Sequence, residues 1–407
     1  MRIIIHCDLN NFFASVECLK KPWLKEVPMA VAGDSEMRHG IILAKNMLAA
    51  KYGVKTAEPI WAAKRKCPSL VTVPPNHEDY VVISKKVRKI YEEYSNLIES
   101  FGIDECWLDI SDIAKDFDEG CKIADELRER IKTDIGITAS CGVSFNKVFA
   151  KLGSDMKKPD ATTLISEENF KETVWNLPVD RLLYVGKSTV KALNSMNIHT
   201  IGELANTDAK SLEFIFGKNG ISLWLNSNGK DNSPVSSIDV PTTVKSVGNS
   251  ITLPYDITED EDIRAVLIAL CEKVSERLRR LDFVCGTVQI WVRDFQLNSY
   301  ERQAVLDTPN RTAACLFDTA FTLYKQNHNS DKPIRALGVR ATNLTNGSCS
   351  QLTISPTVDK FDKYEKIESI TDNIRHQFGR SALKRGIMLT SNVMSDMEIH
   401  EENHTVT

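Results

Sequence analysis

Three acidic residues from two distant parts of the chain lie in strand-like segments. Asp8 follows an apolar run of three isoleucines, and Asp104 and Glu105 lie in a largely apolar segment at 100–110. One sheet could bring the three carboxylates together, where they repel one another unless cations neutralise them. Ligands that are all oxygen suit Mg²⁺. Two such ions, about 3.5–4 Å apart, suit in-line phosphoryl or nucleotidyl transfer.

The adjacent acids Asp104 and Glu105 need a special backbone to share one site. Neighbouring side chains on a regular strand point to opposite faces of the sheet. We therefore expect a turn or irregularity here, which Gly102 permits. A solvated turn is the alternative interpretation, but the apolar flanks favour a buried sheet edge.

Composition indicates an ordinary globular protein. The chain has 407 residues, of which 42% are apolar and 26% charged, enough for two to four domains. Ten cysteines without a Cys-x-x-Cys pair argue against a structural zinc site and fit a reducing cytoplasm. No run is long enough to span a membrane, and the N-terminus does not resemble a signal peptide. Because the net charge is −4, any DNA-binding surface must be local.

The first part of the chain predicts an antiparallel α+β sheet with helices on one face, interrupted by an insertion at 40–75. The most distinctive element is a long amphipathic helix at 77–100, with apolar residues every three or four positions. The other predicted elements are strands at 1–8, 27–32 and 138–143 and helices at 12–19, 123–131 and 146–156.

The remainder predicts a helical region, a linker and a second small domain. Gly186 and Lys187 lie between short predicted helices, in a turn that could aim backbone N–H groups and a lysine at a phosphate; a plain helical turn is the alternative. The segment 231–245 is polar and contains two prolines, as in a linker. The second domain is predicted to contain strands at 246–253, 284–293 and 334–344 and helices at 262–281 and 310–327.

A terminal helix and a disordered tail after about 392 complete the prediction. The helix has one amphipathic stripe, formed by Phe361, Tyr364, Ile367, Ile370, Ile374 and Phe378.

Four ordered motifs together resemble the Y-family DNA polymerases, the translesion class. They are DLNNFFASVE (8–17), GIDECWLD (102–109), GVSFNKVFAK (142–151) and SDMKKP (154–159). The resemblance covers about residues 1–350. It implies a template-directed DNA polymerase that copies damaged DNA with low fidelity and no proofreading, working as a monomer on primer-template DNA and deoxynucleoside triphosphates.

The resemblance also implies the architecture of a right hand. We expect a palm with an antiparallel sheet, small fingers, a helical thumb and a C-terminal α+β little finger. The implied bounds are palm 1–18 and 76–165, fingers 19–75, thumb with a helix-hairpin-helix 166–232, linker 233–245, little finger 246–355, and terminal helix and tail 356–407.

In that family, Asp8, Asp104 and Glu105 would be the catalytic acids that hold two Mg²⁺ ions, with the Leu9 carbonyl as a further ligand. Phe13 matches the aromatic steric gate that excludes a 2′-hydroxyl; an aromatic anchor for the helix is the alternative interpretation. The implied nucleotide-binding residues are Phe12, Lys158 and Lys51, and the implied DNA-binding residues are Gly186 and Lys187.

The sequence departs from the family in the fingers. Ala44, Met47 and Ala50 stand where the family commonly places Ser or Thr, Tyr and Arg against the triphosphate. None of these side chains can donate to a phosphate. Lys45, Asn46 and Lys51 are the nearby candidates to replace the lost contacts. Two milder departures are Asn10, where a second acid is frequent, and Gly102, where serine is common.

Gln351 and Leu352 begin a segment, QLTIS, that resembles the short peptide with which bacterial polymerases bind the sliding clamp. The terminal aromatic residue is missing, so one apolar anchor is lost. A linker with chance similarity is the alternative.

Two other functions fit parts of the pattern. A non-catalytic DNA-binding relative would explain the altered fingers, but the three acids are intact. A nucleotidyl cyclase also uses paired acids on a similar sheet, but it has no use for a thumb-like hairpin or an additional C-terminal domain. Primer extension with Mg²⁺ separates all three.

Overall fold

The computed structural model describes residues 1–33, 40–240, 243–328, 332–347, 358–379, 382–391 and 393. The chain forms two compact units, one of residues 1–33 and 41–241 and the other of residues 34–40 and 242–407. None of the described helices is long and apolar enough to cross a lipid bilayer. The tail predicted to be disordered lies, apart from residue 393, outside the described residues.

The first unit contains two sheets and a group of helices. Its strands are β1 (Ile4–Leu9), β2 (Met29–Ala32), β3 (Ile42–Lys45), β4 (Val71–Val73), β5 (Ile98–Ser100), β6 (Glu105–Asp109), β7 (Ala139–Ser144) and β8 (Thr162–Ile165). Its helices are α1 (Phe12–Lys20), α2 (Met47–Lys51), α3 (Ile60–Lys66), α4 (His77–Glu92), α5 (Phe117–Arg130), α6 (Lys147–Met156), α7 (Phe170–Val174), α8 (Lys187–Ser195), α9 (Ile201–Asn206), α10 (Ala209–Phe216) and α11 (Lys218–Ser227).

The larger sheet has the order β5-β6-β1-β7-β8. Its first four strands are antiparallel, and β8 joins β7 in parallel. Because β1 is the central strand of this sheet, all six of its residues are buried, including His6 and Asp8. Ile3, Ile5 and Cys7 pack in the same core as residues of α4 and α5.

The prediction that helices cover only one face of this sheet is wrong. Ile4 packs on the opposite face with Ala150 of α6. Gly142 on β7 makes this close approach possible, since a Cβ at that position would lie 1.9 Å from the Ala150 carbonyl oxygen. Helix α6 therefore crosses the face that carries the Asp8 side chain.

The predicted helix at 77–100 is too long. Helix α4 ends at Glu92, and Ile98–Ser100 forms the edge strand β5. Ser95 accounts for the change, because its hydroxyl donates to the Asp109 carbonyl and accepts from the Leu97 N–H. Such side-chain bonds offer the backbone an alternative to the helix.

The smaller sheet has the order β3-β2-β4 and belongs to the inserted segment. Beyond β8, helices α7 to α11 share a core of their own with Val148 and Phe149 of α6. The segment that follows them was predicted as a linker, but part of it is docked on the edge of the larger sheet. Ser237 bridges Leu97, and Glu99 accepts from the Ser236 N–H.

The second unit contains a four-stranded antiparallel sheet in the order β11-β10-β12-β9. Its elements are β9 (Ser246–Ile257), α12 (Asp260–Arg280), β10 (Phe283–Asp294), β11 (Ser299–Asn310), α13 (Ala313–Asn327), β12 (Ile334–Asn346), α14 (Val358–Phe378) and α15 (Gly386–Thr390). Strand β11 is absent from the sequence prediction. It is an edge strand whose side chains are mostly exposed, so it lacks the apolar alternation that marks a buried strand.

The terminal helix α14 does not bury the face that its apolar stripe predicts. Tyr364 and Ile370 are 43% and 60% exposed, whereas Glu368 is only 7% exposed. Glu368 lies 2.6 Å from Arg279 of α12 and accepts from the Ala313 N–H at the start of α13. Charged contacts, rather than the apolar stripe, therefore hold this helix against the second unit.

Candidate active site

The register of the larger sheet brings the three predicted acids together. Asp8 on β1 stands directly opposite Glu105 on β6, so their side chains share one face. Asp104 immediately precedes β6, and its carbonyl oxygen accepts from the Leu9 N–H at 3.0 Å. Gly102, with φ at +126°, forms the turn expected before the two adjacent acids. We call Asp8, Asp104 and Glu105 the acid cluster.

The electrostatics of the acid cluster favour a bound cation. Burial, together with the Glu105 and Asp104 carboxylates, raises the pKa of Asp8 to about 7, although Lys158 acts in the opposite direction. Burial and the Glu105 carboxylate also raise the pKa of Asp104. The neighbouring side chains therefore do not fully neutralise the three carboxylates of the acid cluster. A divalent cation would do so.

Two lysines reach the acid cluster from α6 and the segment after it. Lys158 Nζ lies 2.7 Å from Asp8 Oδ2 and 2.8 Å from Asp155 Oδ1. Lys151 forms an ion pair with Glu105, and its ammonium group lies 5.2 Å from the centroid of the Phe101 ring. Lys158 is predicted from the sequence, whereas Lys151 is not.

A buried histidine completes the surroundings of Glu105. His6 Nδ1 lies 2.8 Å from the Ser154 hydroxyl of α6. His6 Nε2 lies 3.3 Å from Glu105 Oε2, and burial lowers the pKa of His6. Burial raises the pKa of Glu105, but His6 and Lys151 outweigh it and lower that pKa to about 2. The spacing of Lys151, Ser154 and Asp155 on one helical face is the signal that could have identified these neighbours.

The acid cluster could supply carboxylates to an open Mg²⁺ site. In the part of the chain that the structure describes, no group of three or more His, Cys, Asp or Glu side chains is placed to hold a metal ion by itself. Mg²⁺ commonly binds one or two carboxylates and completes its octahedron with waters and substrate phosphates. The Leu9 carbonyl, at the end of β1 between Asp8 and the start of α1, is a further candidate ligand.

Phe12 and Phe13 begin helix α1, directly beyond Asn11, whose backbone is left-handed (φ 49°). The Phe12 side chain is buried in the core, so only its backbone is available to a ligand. Phe13 is half-buried and stacks on Tyr80 of α4. Phe13 is thus an aromatic surface close in sequence to the acid cluster.

The altered fingers residues lie on β3 and α2. Met47 is exposed and Ala50 is half-buried, one helical turn apart on α2. Asn46 is excluded as a replacement, because its side chain already caps α2, accepts from Met29 N–H, and donates to the Leu24 and Val27 carbonyls. Lys45 and Lys51 remain.

Two further surfaces could meet a nucleic acid. Gly186 precedes α8, and Lys187 is the first residue of that helix. A Cβ added at Gly186 would meet no atom within 4 Å, so the space beside this turn is open. In the second unit, a cavity of about 450 Å³ lies along the sheet. Its lining includes Lys245, Arg277, Gln289, Trp291 and Arg340. This surface is not predicted from the sequence, because its residues are distributed over separate elements.

The acid cluster predicts an unusual stability effect. Because its pKa is raised, ionised Asp104 destabilises the folded protein above that pKa, so Asp104→Asn should raise the Tm of the metal-free protein. We expect about 2–4 °C, the shift that about 1 kcal/mol causes in a unit of this size. Mg²⁺ should raise the Tm of the wild type more than that of the variant. Thermal unfolding with and without Mg²⁺ measures both effects.

Asp160 provides the matched control. Against the effect of burial, Arg128 and Lys132 lower its pKa, so its charge stabilises the fold above its ordinary pKa. Asp160→Asn should therefore lower the Tm. Equal responses of the two variants would contradict the electrostatic description of the acid cluster.

Comparison with known proteins gives concordant matches. Residues 7–155 match the impB/mucB/samB family, and residues 244–354 match the C-terminal domain of that family. DNA polymerase IV of Acetivibrio thermocellus is 50% identical over 389 residues, covering 95% of this chain and 98% of that protein. DNA polymerase IV of Clostridium acetobutylicum is 32% identical over 395 residues, covering 95% and 98%. A Y-family DNA polymerase chimera of Dbh and Dpo4 superposes with a TM-score of 0.75 at 23% identity, covering 84% of this chain and 99% of that one.

Proposed function

Because the chain belongs to the impB/mucB/samB family and is a translesion DNA polymerase of the Y-family, we propose that its acid cluster performs nucleotidyl transfer with two Mg²⁺ ions. The substrates are a DNA template with its primer and deoxynucleoside triphosphates. The observation that carries the mechanism is the pairing of Asp8 with Glu105 across β1 and β6, with Asp104 beside them.

In this reaction the primer 3′-oxygen attacks the α-phosphorus, and the bond to the bridging oxygen breaks to release pyrophosphate. Asp8, Asp104, Glu105 and the Leu9 carbonyl would hold the ions. When bound, two Mg²⁺ ions would lower the pKa of the 3′-hydroxyl and neutralise the triphosphate and the leaving group. The protein's own contribution is to hold the carboxylates in place, with His6 and Lys151 against Glu105 and Lys158 against Asp8.

Lys158 has a second role in the proposal. Its ammonium group lies between Asp8 and Asp155, at the edge of the acid cluster. We expect it to exchange the Asp8 carboxylate for an oxygen of the triphosphate once cations occupy the site. A lysine acts there as a compact point charge with three donors.

The wider proposal assigns DNA contacts and domains. The palm, fingers, thumb, linker and little finger would have the bounds implied by the family. Gly186 and Lys187 would bind a backbone phosphate through the N-terminus of α8, and the cavity beside Arg277 and Arg340 would contact DNA through the little finger. Primer extension on an undamaged template, with and without Mg²⁺, tests the central activity; extension that persists in excess EDTA would contradict the metal assignment.

The sugar choice of the enzyme should depend on Phe13. Phe13→Ala opens space beneath the sugar, so the ratio of kcat/KM for ribonucleotides to that for deoxynucleotides should rise at least about tenfold, on the order of 1.4 kcal/mol. Steady-state single-nucleotide incorporation measures the ratio. An unchanged ratio would identify Phe13 as a core residue only.

Binding to the bacterial sliding clamp is also proposed, through Gln351 and Leu352. Both lie outside the described residues. Because the segment lacks the terminal aromatic anchor, we expect weak binding that Gln351→Ala removes. A pull-down with purified clamp compares the two proteins, and equal retention of both would reject the contact.

A further inference from the structure

The aromatic ring behind Phe13 is held in place by the protein core. The rings of Phe13 and Tyr80 are stacked, with centroids 4.3 Å apart and an interplanar angle of 12°. Tyr80 on α4 is completely buried, whereas Phe13 is half-buried. Tyr80 is therefore the surface against which Phe13 rests, and the position of Tyr80 limits how far Phe13 can retreat.

A buried carboxylate fixes the other end of Tyr80. The Tyr80 hydroxyl donates to Glu17 Oε1 at 2.8 Å. Glu17 is only 5% exposed, and a buried carboxylate requires such a partner. Burial and this carboxylate raise the pKa of Tyr80, so the hydroxyl stays protonated and remains a donor.

Helix α1 carries both ends of this arrangement. Phe13 and Glu17 are four residues apart on α1 and therefore lie on the same helical face. Tyr80 connects the two, with its ring on Phe13 and its hydroxyl on Glu17. His77 and Phe12 contact the Tyr80 ring edge to face, at 5.6 and 6.2 Å between centroids, and restrict its rotation.

We propose that Tyr80 and Glu17 are positioning residues that set the sugar specificity of this polymerase. The hydrogen bond keeps the Tyr80 ring flat behind Phe13, and the stack keeps Phe13 raised towards the sugar. When either contact is lost, Phe13 can move back into the space of Tyr80, and a 2′-hydroxyl then fits. This inference rests on the proposed role of Phe13 as the steric gate.

The test measures the ribonucleotide-to-deoxynucleotide ratio of kcat/KM in a set of single variants. Tyr80→Phe keeps the ring and removes only the hydroxyl, so the ratio should rise about threefold to tenfold. Tyr80→Leu removes the stack as well and should raise it further. Glu17→Ala should resemble Tyr80→Phe, whereas Glu17→Gln keeps an acceptor oxygen and should restore most of the discrimination.

The double variant Glu17→Ala with Tyr80→Phe sharpens the test. Both changes remove the same hydrogen bond, so the double variant should show no larger ratio than the stronger single variant. Ratios that multiply would mean that the two residues act independently, which would overturn the proposed connection.

Tyr94→Phe is the matched control. Tyr94 also donates to a glutamate, Glu126, at 2.7 Å, but in exposed surroundings. We expect an unchanged ratio. If Tyr80→Phe and Tyr80→Leu lower the Tm but match Tyr94→Phe in sugar choice, the stack is only part of the core and the inference fails.

Phe13→Ala separates this inference from the proposed function. If Phe13→Ala raises the ribonucleotide-to-deoxynucleotide ratio but no Tyr80 or Glu17 variant changes it, the inference is overturned, and the role of Phe13 as the steric gate still holds. A flat ratio in Phe13→Ala would overturn both.

Discussion

Primer extension should fall by at least about a hundredfold when Asp104 or Glu105 is replaced with alanine. Both carboxylates belong to the acid cluster, where they would hold the ions that act on the transferred phosphoryl group. Because duplex binding is proposed to depend on other residues, such as Gly186 and Lys187, the affinity for primer-template DNA should stay within about twofold. Single-turnover incorporation and fluorescence anisotropy measure the two quantities on the same preparations.

Asp109→Ala is the control for this prediction. Asp109 ends the same strand β6, where its carboxylate accepts from the Ser111 N–H. This variant removes an equal charge from the same strand and should keep most of the activity. The two-metal assignment would be wrong if Asp104→Ala or Glu105→Ala retained more than a few per cent of wild-type extension.

The position of the acid cluster could be predicted because it depends on local rules. Asp8 follows an apolar run in β1, and Gly102 permits the turn that precedes Asp104 and Glu105. These features follow from strand alternation and from the backbone freedom of glycine. The family motifs then connected the separate segments, which periodicity alone could not do.

The neighbours of the acid cluster depend on packing that the sequence does not express. Lys151 contacts Glu105 only because α6 crosses the face of the sheet that carries Asp8, whereas His6 reaches Glu105 from β1 through the strand register. That crossing depends on the absence of a side chain at Gly142. The run of three isoleucines at 3–5 is compatible with helices on one face of the sheet or on both, so the sequence alone does not decide between them.

Two differences between the predicted and the observed second unit have the same cause. Strand β11 is polar because it lies at an edge, and α14 is docked through Glu368 and Arg279 while Tyr364, Ile367, Ile370 and Phe378 of its stripe stay exposed. Prediction from periodicity assumes that apolar residues mark the buried face. Where backbone pairing or ion pairs hold an element, that assumption fails.

The affinity for the incoming nucleotide should depend strongly on Lys158, because the fingers lack the usual phosphate contacts. Family members use Tyr and Arg at the positions of Met47 and Ala50, and a charge-assisted hydrogen bond contributes roughly 1.5–3 kcal/mol. Lys158 already lies at the acid cluster, 2.7 Å from Asp8 Oδ2. We therefore expect it to carry more of the triphosphate charge than usual. Lys158→Ala should raise the nucleotide KM about tenfold to a hundredfold.

The two fingers lysines provide the comparison. Lys51 points about 100° around α2 from Ala50 but follows Met47 by four residues, so it lies on the side of Met47, whereas Lys45 precedes the helix on β3. Lys51→Ala and Lys45→Ala should raise KM less than Lys158→Ala, with Lys51 the larger of the two. Their ranking in steady-state incorporation assigns the phosphate contacts.

Ala50→Arg is the decisive variant, because it restores the family's cation at a half-buried position one turn from Met47. A guanidinium there would present a planar fork of donors that matches phosphate oxygens. The nucleotide KM should fall. In this background Lys158→Ala should raise KM less than in the wild type, because the introduced guanidinium and the Lys158 ammonium would both neutralise the triphosphate. If Ala50→Arg leaves KM unchanged or raises it, the fingers of this polymerase bind the triphosphate through another cation, and the correspondence with the family fails at this helix.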